Sequence, residues 1–401
     1  MSGKEAGHPT ASPLVDTQAG LEEVCRRLRE AGAFALDTEF VKERTFFAQL
    51  GTVQVATRDF AVIIDPRAVT DLVPFAEIWA DPQVEKIIHS GFQDCEVLFQ
   101  SVGAPPRNVF DTQIAAAILG YGDQIAYAKL AALVVGVKLR KLETRTDWTR
   151  RPLTKEQIQY ALDDVRYLPR LREHLGERLA DLGREAWAYE EFRFLEDPAT
   201  FELAAPEEAY LRLRVNALNV RQRGALRELA AWREREARRR DLPRGWVLSD
   251  GALLEIARRL PKSREALARV RALESKDLER NAAAILAAVT DGSEAPVEAP
   301  ASTGTFEESP ETEALTRLLD AWLRARAQST ETAVSLLGTR DDVKALAAGY
   351  LRGELPDVPL LSGWRRQVVG QDLLDLLDGK LRLSVAAGGR IVAERVGEGG
   401  A

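Results

Sequence analysis

The sequence predicts an α/β domain built on a mixed sheet, followed by all-α modules. Between residues 14 and 200, strand-type and helix-type hydrophobic patterns alternate. Strands that come first and then interleave with helices give a mixed sheet with helices packed on it. From about Glu207 onward the strand pattern disappears and helical periodicity alone remains. A length of 401 residues suits two or three domains.

The elements follow in order. Phe34 to Phe40 is an apolar run that carries Asp37-Thr38-Glu39. Thr52 to Thr57 alternates polar and apolar, and Phe60 to Asp65 follows after Arg58-Asp59, the spacing of a hairpin. An amphipathic helix is expected around Leu72 to Trp79, then a strand from Val84 to His89, a Ser90-Gly91 junction and a helix from Gln93 to Val102. Short helices are expected at Ile114 to Leu119 and Tyr127 to Val135. A longer one starts after Pro152, where Thr154 and Gln157 have capping-box spacing and make Thr154 the N-cap. Further on, Val215 to Arg239 and Asp250 to Arg259 read as helices, with loops at Asp241-Leu242-Pro243 and Leu260-Pro261. The expected organisation is an α/β domain at 1–200 with its core at about 14–182, a helical domain at 205–290, a flexible linker at 291–310, a second helical domain at 311–380 and a tail at 381–401. The linker assignment rests on three prolines and five acids among Ser, Thr and Gly. The tail is Gly-rich from Gly388 and is expected to fray. Ala231-Trp232-Arg233-Glu234 and Ala321-Trp322-Leu323-Arg324 hint that the two helical segments are related.

Composition excludes several classes. Hydrophobic residues make up 45% and charged residues 29%, a globular balance. No apolar run approaches the roughly 20 residues that span a bilayer, and the polar start (Met1 to Pro13) has no apolar signal segment, so a cytoplasmic location is expected. Two cysteines and three histidines support neither a disulfide framework nor a Cys/His zinc site. A metal here would sit on carboxylate oxygens, which favours magnesium or manganese. The net charge of −7 hides an asymmetry: −7 over residues 1–200, +6 over 201–290 and −6 over 291–401. The basic middle segment either meets a polyanion or is a set of solvated arginine helices.

Asp37 and Glu39 lie two apart on a predicted buried strand, so both side chains leave one sheet face. Two carboxylates there are costly unless a cation accompanies them or a salt bridge ends the strand. Asp94 sits in the first turn of its helix, a place that dipole and capping effects also explain. Asp111 precedes the next helix and reads as an N-cap before a ligand. Cys95, followed by Val97 and Leu98, reads as a packed thiol. Tyr160 and Asp164 share a helix face at i, i+4, whereas Asp163 is expected to face solvent. Four carboxylates around one point can bind two divalent cations about 4 Å apart, which clamp the attacking and leaving oxygens of a phosphodiester. A phenol nearby can orient or help deprotonate the attacking water.

With these residues in view, 34–170 resembles the exonuclease domain of the ribonuclease D family, 3′-to-5′ exonucleases of the DEDD superfamily, tyrosine subtype. The first motif matches Leu36-Asp37-Thr38-Glu39-Phe40 and continues through Thr45 to Gly51, with Ala48 where a proline is common. The second matches His89-Ser90-Gly91-Phe92-Gln93-Asp94. The third runs from Arg145-Thr146-Asp147-Trp148 through Arg151-Pro152-Leu153-Thr154 to Tyr160-Ala161-Leu162-Asp163-Asp164-Val165. Residues 207–290 are similar to the HRDC domain, and 311–380 to a diverged second copy. The resemblance implies a ribonuclease-H-like exonuclease domain with two HRDC-type modules. It implies that Asp37, Glu39 and Asp164 hold one cation, that Asp37 bridges to a second, and that Asp94 assists the second through water. Tyr160 would position the nucleophilic water, and Thr38, Phe40, His89 and Phe92 would border the terminal nucleotide. The implied reaction is release of nucleoside 5′-monophosphates from RNA with a free 3′ end, with tRNA precursors as substrate, two Mg²⁺ or Mn²⁺ ions, and neither an organic cofactor nor a membrane. The run Arg233, Arg235, Arg238, Arg239 and Arg240 is the candidate RNA grip. Rival readings are a DNA 3′-to-5′ exonuclease and an inactive RNA-binding scaffold; no Gly-x-x-x-x-Gly-Lys-Ser/Thr loop marks an attached motor.

Overall fold

The computed structural model describes residues 13–139, 146–213, 215, 217–298 and 309–396. Arg145 of the third motif, residues 299–308 of the expected linker and residues 397–401 of the expected tail lie outside the described residues. The chain divides into two compact units, one of residues 1–39, 51–200 and 304–401 and one of residues 40–50 and 201–303.

In the first unit six strands form one sheet: β1 (Leu14–Val15), β2 (Ala33–Val41), β3 (Gln49–Ala56), β4 (Ala61–Ile64), β5 (Glu85–Ile88) and β6 (Val109–Asp111), in the order β1-β4-β3-β2-β5-β6. The expected hairpin is the antiparallel pair β3-β4, with Ala56 opposite Ala61. β5 runs parallel to both β2 and β6, so the sheet is mixed. Phe34, Ala35 and Leu36 are buried on both faces of β2, as a central strand requires. Helices α1 (Gln18–Ala31), α2 (Val73–Trp79), α3 (Phe92–Val102), α4 (Thr112–Ile118), α5 (Tyr127–Val134), α6 (Lys155–Arg166), α7 (Leu168–Asp181) and α8 (Glu185–Phe192) accompany it. The sequence reading passed over α1, although Thr17 caps it and Gly32, at φ 69°, ends it. α6 has the expected Thr154–Gln157 capping box. It stops at Arg166 because Pro169 lies in the first turn of α7.

The second unit contains α9 (Val220–Arg240), α10 (Arg244–Val247), α11 (Asp250–Arg259), α12 (Arg264–Leu267) and α13 (Ser275–Glu294). α9 begins five residues later than the expected Val215, since Asn219 and Gln222 form its capping box. α13 runs four residues into the stretch read as linker, where Gly292 meets Gly224 of α9: a Cβ on Gly224 would lie 2.1 Å from the Gly292 carbonyl oxygen. Residues 40–50 belong to this unit. Phe46 packs with Ala237 and Val247, and the amides of Phe46 and Phe47 both donate to Asp241 at 3.0 Å.

The remaining helices, α14 (Pro310–Ser329), α15 (Val334–Leu337), α16 (Arg340–Arg352), α17 (Gly363–Arg365) and α18 (Gln371–Leu377), lie in the same compact unit as the sheet. Trp187 of α8 stacks on Trp364 at 4.8 Å, and Arg365 makes a two-pronged 2.6 Å ion pair with Glu191. Thr330 and Ala333, after α14, accept from Arg184 and donate to Ala117. The expected frayed tail is instead a hairpin, β7 (Leu381–Val385) with β8 (Ile391–Arg395). Its alternating Leu383, Ile391 and Ala393 pack against the helical core, and Gly388 and Gly389 take the left-handed turn positions. Among the described residues no helix is long and apolar enough to cross a membrane.

Candidate active site

The residues singled out in β2 and α6 meet. One carboxylate oxygen each from Asp37, Glu39 and Asp164 lie within 4.8 Å of one another. These three, with Thr38, His89, Tyr127, Tyr160 and Leu168, line a pocket of about 170 Å³. Asp94 approaches from α3 and is tied back to β2. Its Oδ1 accepts from the Thr38 amide at 2.9 Å and from the Thr38 hydroxyl at 2.5 Å. Asp94 therefore stands beside the triad without being part of it, while its charge is felt by Asp37, Glu39 and Asp164.

Burial and mutual repulsion dominate the electrostatics. Burial first, then the charges of Asp94, Asp164 and Glu39, push Asp37 well above the ordinary carboxylate range. Burial with the charges of Asp164 and Asp94 lifts Glu39 to about 8, and burial with the charges of Asp163 and Asp94, against the Tyr160 hydrogen bond, lifts Asp164 to about 7. Asp94 rises to about 6 through burial, moderated by the Thr38 hydrogen bonds. Among the described residues, no Lys or Arg is a leading influence on these four acids. A cluster of carboxylates without a protein cation suits a hard divalent cation bound through oxygen.

Tyr160 donates its hydroxyl to Asp164. Burial and the surrounding carboxylates raise the phenol, so it keeps its proton at neutral pH and acts as a donor. The segment before α6 holds it in place. Arg151 forks onto Asp65 at 2.5 and 2.7 Å and onto the carbonyls of Gly51 and Trp148 at 2.7 and 2.9 Å. Gly51 is required for this approach, because a Cβ there would lie 2.8 Å from both the Glu39 carbonyl oxygen and the Trp148 Cβ. The Trp148 ring in turn sits 6.1 Å from that of Tyr160.

Asp111 resolves in favour of capping. It accepts from Gln113 and Ile114 at the start of α4 and from Ser90 and Gly91 at the start of α3. His89 is held by Thr112 at 2.9 Å and by the Ile125 carbonyl at 3.0 Å. Thr38 and His89 thus reach the pocket, whereas Phe40 and Phe92 do not line it. Cys95 is fully buried, as a packed thiol should be. Asp163 points away, accepting from Gln159 and Arg166. Sequence reasoning missed Tyr127 and Leu168: Tyr127 opens a short helix with no distinctive spacing, and Leu168 follows the break between α6 and α7. Tyr127 also donates to the Asp163 carbonyl, which fixes the pocket wall to α6.

The arginine run of α9 has a different character. Arg233 is 4% exposed and bonded to Asp250 and the Leu248 carbonyl, so it is a packing residue and no part of a grip. Arg238 pairs with Glu234 and the Ala204 carbonyl, Arg235 with Glu207, and Arg239 and Arg240 with Glu236. Arg235 and Arg239 remain open to solvent.

A mixed sheet that brings acids from one strand and one helix to a single pocket, with Asp94 of a second helix beside it, has the frame of a 3′-5′ exonuclease, and the family described as 3′-5′ exonuclease matches residues 13–180. The HRDC domain family matches residues 222–289. Ribonuclease D of Granulibacter bethesdensis is 38% identical over 96% of this chain and 97% of its own, and that of Gluconacetobacter diazotrophicus 39% identical over 95% and 96%. The crystal structure of Escherichia coli RNase D, described as an exoribonuclease involved in structured RNA processing, aligns with a TM-score of 0.78 at 30% identity, covering 91% of this chain and 98% of that one. The chain belongs to the ribonuclease D family.

Proposed function

We propose that the chain trims RNA from the 3′ end in the cytoplasm, with tRNA precursors as its substrate and two Mg²⁺ or Mn²⁺ ions in the acidic pocket. The reaction class is hydrolytic and exoribonucleolytic, as family membership establishes. The observation that carries the cation requirement is the pocket itself, where Asp37, Glu39 and Asp164 converge with no basic partner among the described residues.

Asp37, Glu39 and Asp164 would hold one ion, with Asp37 shared by a second that Asp94 assists through water. When bound, divalent cations supply positive charge to the attacking and leaving oxygens of a phosphodiester. The protein groups do the rest. Tyr160, protonated and hydrogen-bonded to Asp164, offers its oxygen to orient the attacking water. Thr38 fixes Asp94 through two hydrogen bonds, so that carboxylate enters the reaction already oriented. Thr38 and His89 border the terminal nucleotide, and the exposed Arg235 and Arg239 of the HRDC unit supply charge for RNA phosphates.

Matched single-stranded RNA and DNA oligonucleotides, together with a tRNA precursor carrying a 3′ extension, test the reading. Stepwise shortening of the RNA from its 3′ end and of the precursor to its mature end is expected. Equal or faster hydrolysis of DNA would favour a DNA exonuclease instead.

A further inference from the structure

Two exposed phenylalanines stand outside the pocket lining, one of them Phe92, which the resemblance sets beside the terminal nucleotide. Phe92 and Phe194 form a ring pair in which both partners are exposed, at 43% and 44%. By contrast, the pairs Phe75–Trp79, Phe110–Phe192 and Trp187–Trp364 each bury at least one ring almost completely. The two exposed rings are nearly parallel, 22° apart, with centroids separated by 6.4 Å. Together they expose an apolar aromatic shelf to water.

Both rings stand on fixed supports. Phe92 is the first residue of α3, three positions after the pocket residue His89 and two before Asp94. The turn that delivers it is locked, because Asp111 holds the amides of Ser90 and Gly91, and a Cβ on Gly91 would lie 2.3 Å from Ile88. Phe194 lies in the 3₁₀ turn Arg193–Glu196. Leu195 of that turn is fully buried, and Glu196 accepts from the Val109 amide of β6 at 2.9 Å. Each support turns its neighbours inward and leaves the ring outside, which is the arrangement of a preorganised contact.

We propose that Phe92 and Phe194 are a stacking platform for unpaired RNA bases just upstream of the 3′-terminal nucleotide; this rests on the reading of the chain as a 3′-5′ exoribonuclease. The pocket, at about 170 Å³, is smaller than the roughly 300 Å³ at which sites for drug-sized ligands begin. It therefore accommodates the reacting end and leaves the rest of the strand outside. Single-stranded nucleic acid is gripped there by aromatic faces, which accept any base. Such a contact also fits an enzyme that must hold successive ends of changing sequence.

The test uses the full chain and compares two substrates: a single-stranded RNA oligonucleotide and the p-nitrophenyl ester of thymidine 5′-monophosphate, which has no upstream base. For Phe194→Ala the ratio of kcat/KM on RNA to that on the ester is expected to fall about 5- to 150-fold, the range of one base–aromatic stack. The loss should appear mainly in KM, and Phe194→Tyr should restore it. An unchanged ratio would overturn the platform and leave the shelf to a protein partner. A parallel loss on both substrates would overturn it as well, by showing that the ring supports the fold. Wild-type protein that cleaves the ester but not RNA would sink the exoribonuclease reading itself.

Discussion

Two charged clusters in this protein are built on opposite rules. In and beside the acidic pocket, Asp37, Glu39, Asp94 and Asp164 are partly or wholly buried, and the leading charges that act on them are those of one another and of the neighbouring acids Asp111 and Asp163. In the HRDC unit, Glu234 is 2% exposed, yet Arg244 forks onto it at 2.5 and 2.7 Å and Arg238 adds a third contact at 3.0 Å. Glu234 is accordingly held below the usual carboxylate range despite its burial. Matched charge inside a protein is packing, and unmatched like charge is a site waiting for a ligand. The pocket acids are arranged for something outside the chain, and the arginine cluster largely for itself.

Substitution should separate the two most sharply at the pocket. Asp37→Asn or Asp164→Asn removes a ligand charge while keeping volume, and turnover is expected to fall by orders of magnitude with RNA binding largely preserved. Near-normal hydrolysis by Asp37→Asn in magnesium would break the assignment. Tyr160→Phe should lower kcat by about 10² to 10⁴-fold with a smaller change in affinity, the range of a positioned acid or base. Wild-type turnover would make the phenol a packing group.

The arginine cluster should answer in stability rather than rate. Glu234→Ala leaves Arg244 and Arg238 without their shared acceptor. The expected cost is about 1–3 kcal/mol in denaturant unfolding, below the 3–5 of a fully buried pair because both guanidiniums reach solvent. No change would mean that the arginines find other partners.

The pocket has its own pH signature in cation-free protein. Glu39 and Asp164 titrate near 8 and 7 when folded, against ordinary values of 4.5 and 3.8. Between about pH 4 and pH 8 the folded state therefore holds more protons than the unfolded one at these groups, and their contribution to stability falls as pH rises. Asp164→Asn, which removes one such acid, should gain thermal stability relative to chelated wild type between pH 5 and pH 8. The opposite trend would mean that the acids are already neutralised by the protein. The smallest effect belongs to the exposed arginines. Arg239→Ala should weaken RNA binding slightly and flatten its salt dependence by at most about 0.7 in slope, the single-strand value for one phosphate.

The sequence made the pocket legible because its residues lie in rigid periodic elements. Alternation on β2 puts Asp37 and Glu39 on one face, and the capping box at Thr154 sets the register that aligns Tyr160 with Asp164. What depends on distant partners was not legible. Arg233 looks like any other arginine of a basic run until Asp250 and the Leu248 carbonyl are seen around it. Tyr127 enters the pocket wall only because α5 packs by α6, and β7-β8 orders only because its apolar residues find a helical core. Local pattern carried the strands and capped helices, whereas the partners of Arg233 and Tyr127 lie 15 or more residues away along the chain.

The pocket acids, with no basic partner among the described residues, are proposed to form a cation site. This proposal is tested most directly by calorimetric titration of chelator-treated full-length protein with Mn²⁺ at pH 7, in two buffers of different ionisation enthalpy. Binding accompanied by proton release is expected, because Glu39 and Asp164 must lose protons to accept the ion, with both binding and release weakened in Asp37→Asn. Absence of binding, or binding that Asp37→Asn leaves unchanged, would contradict it.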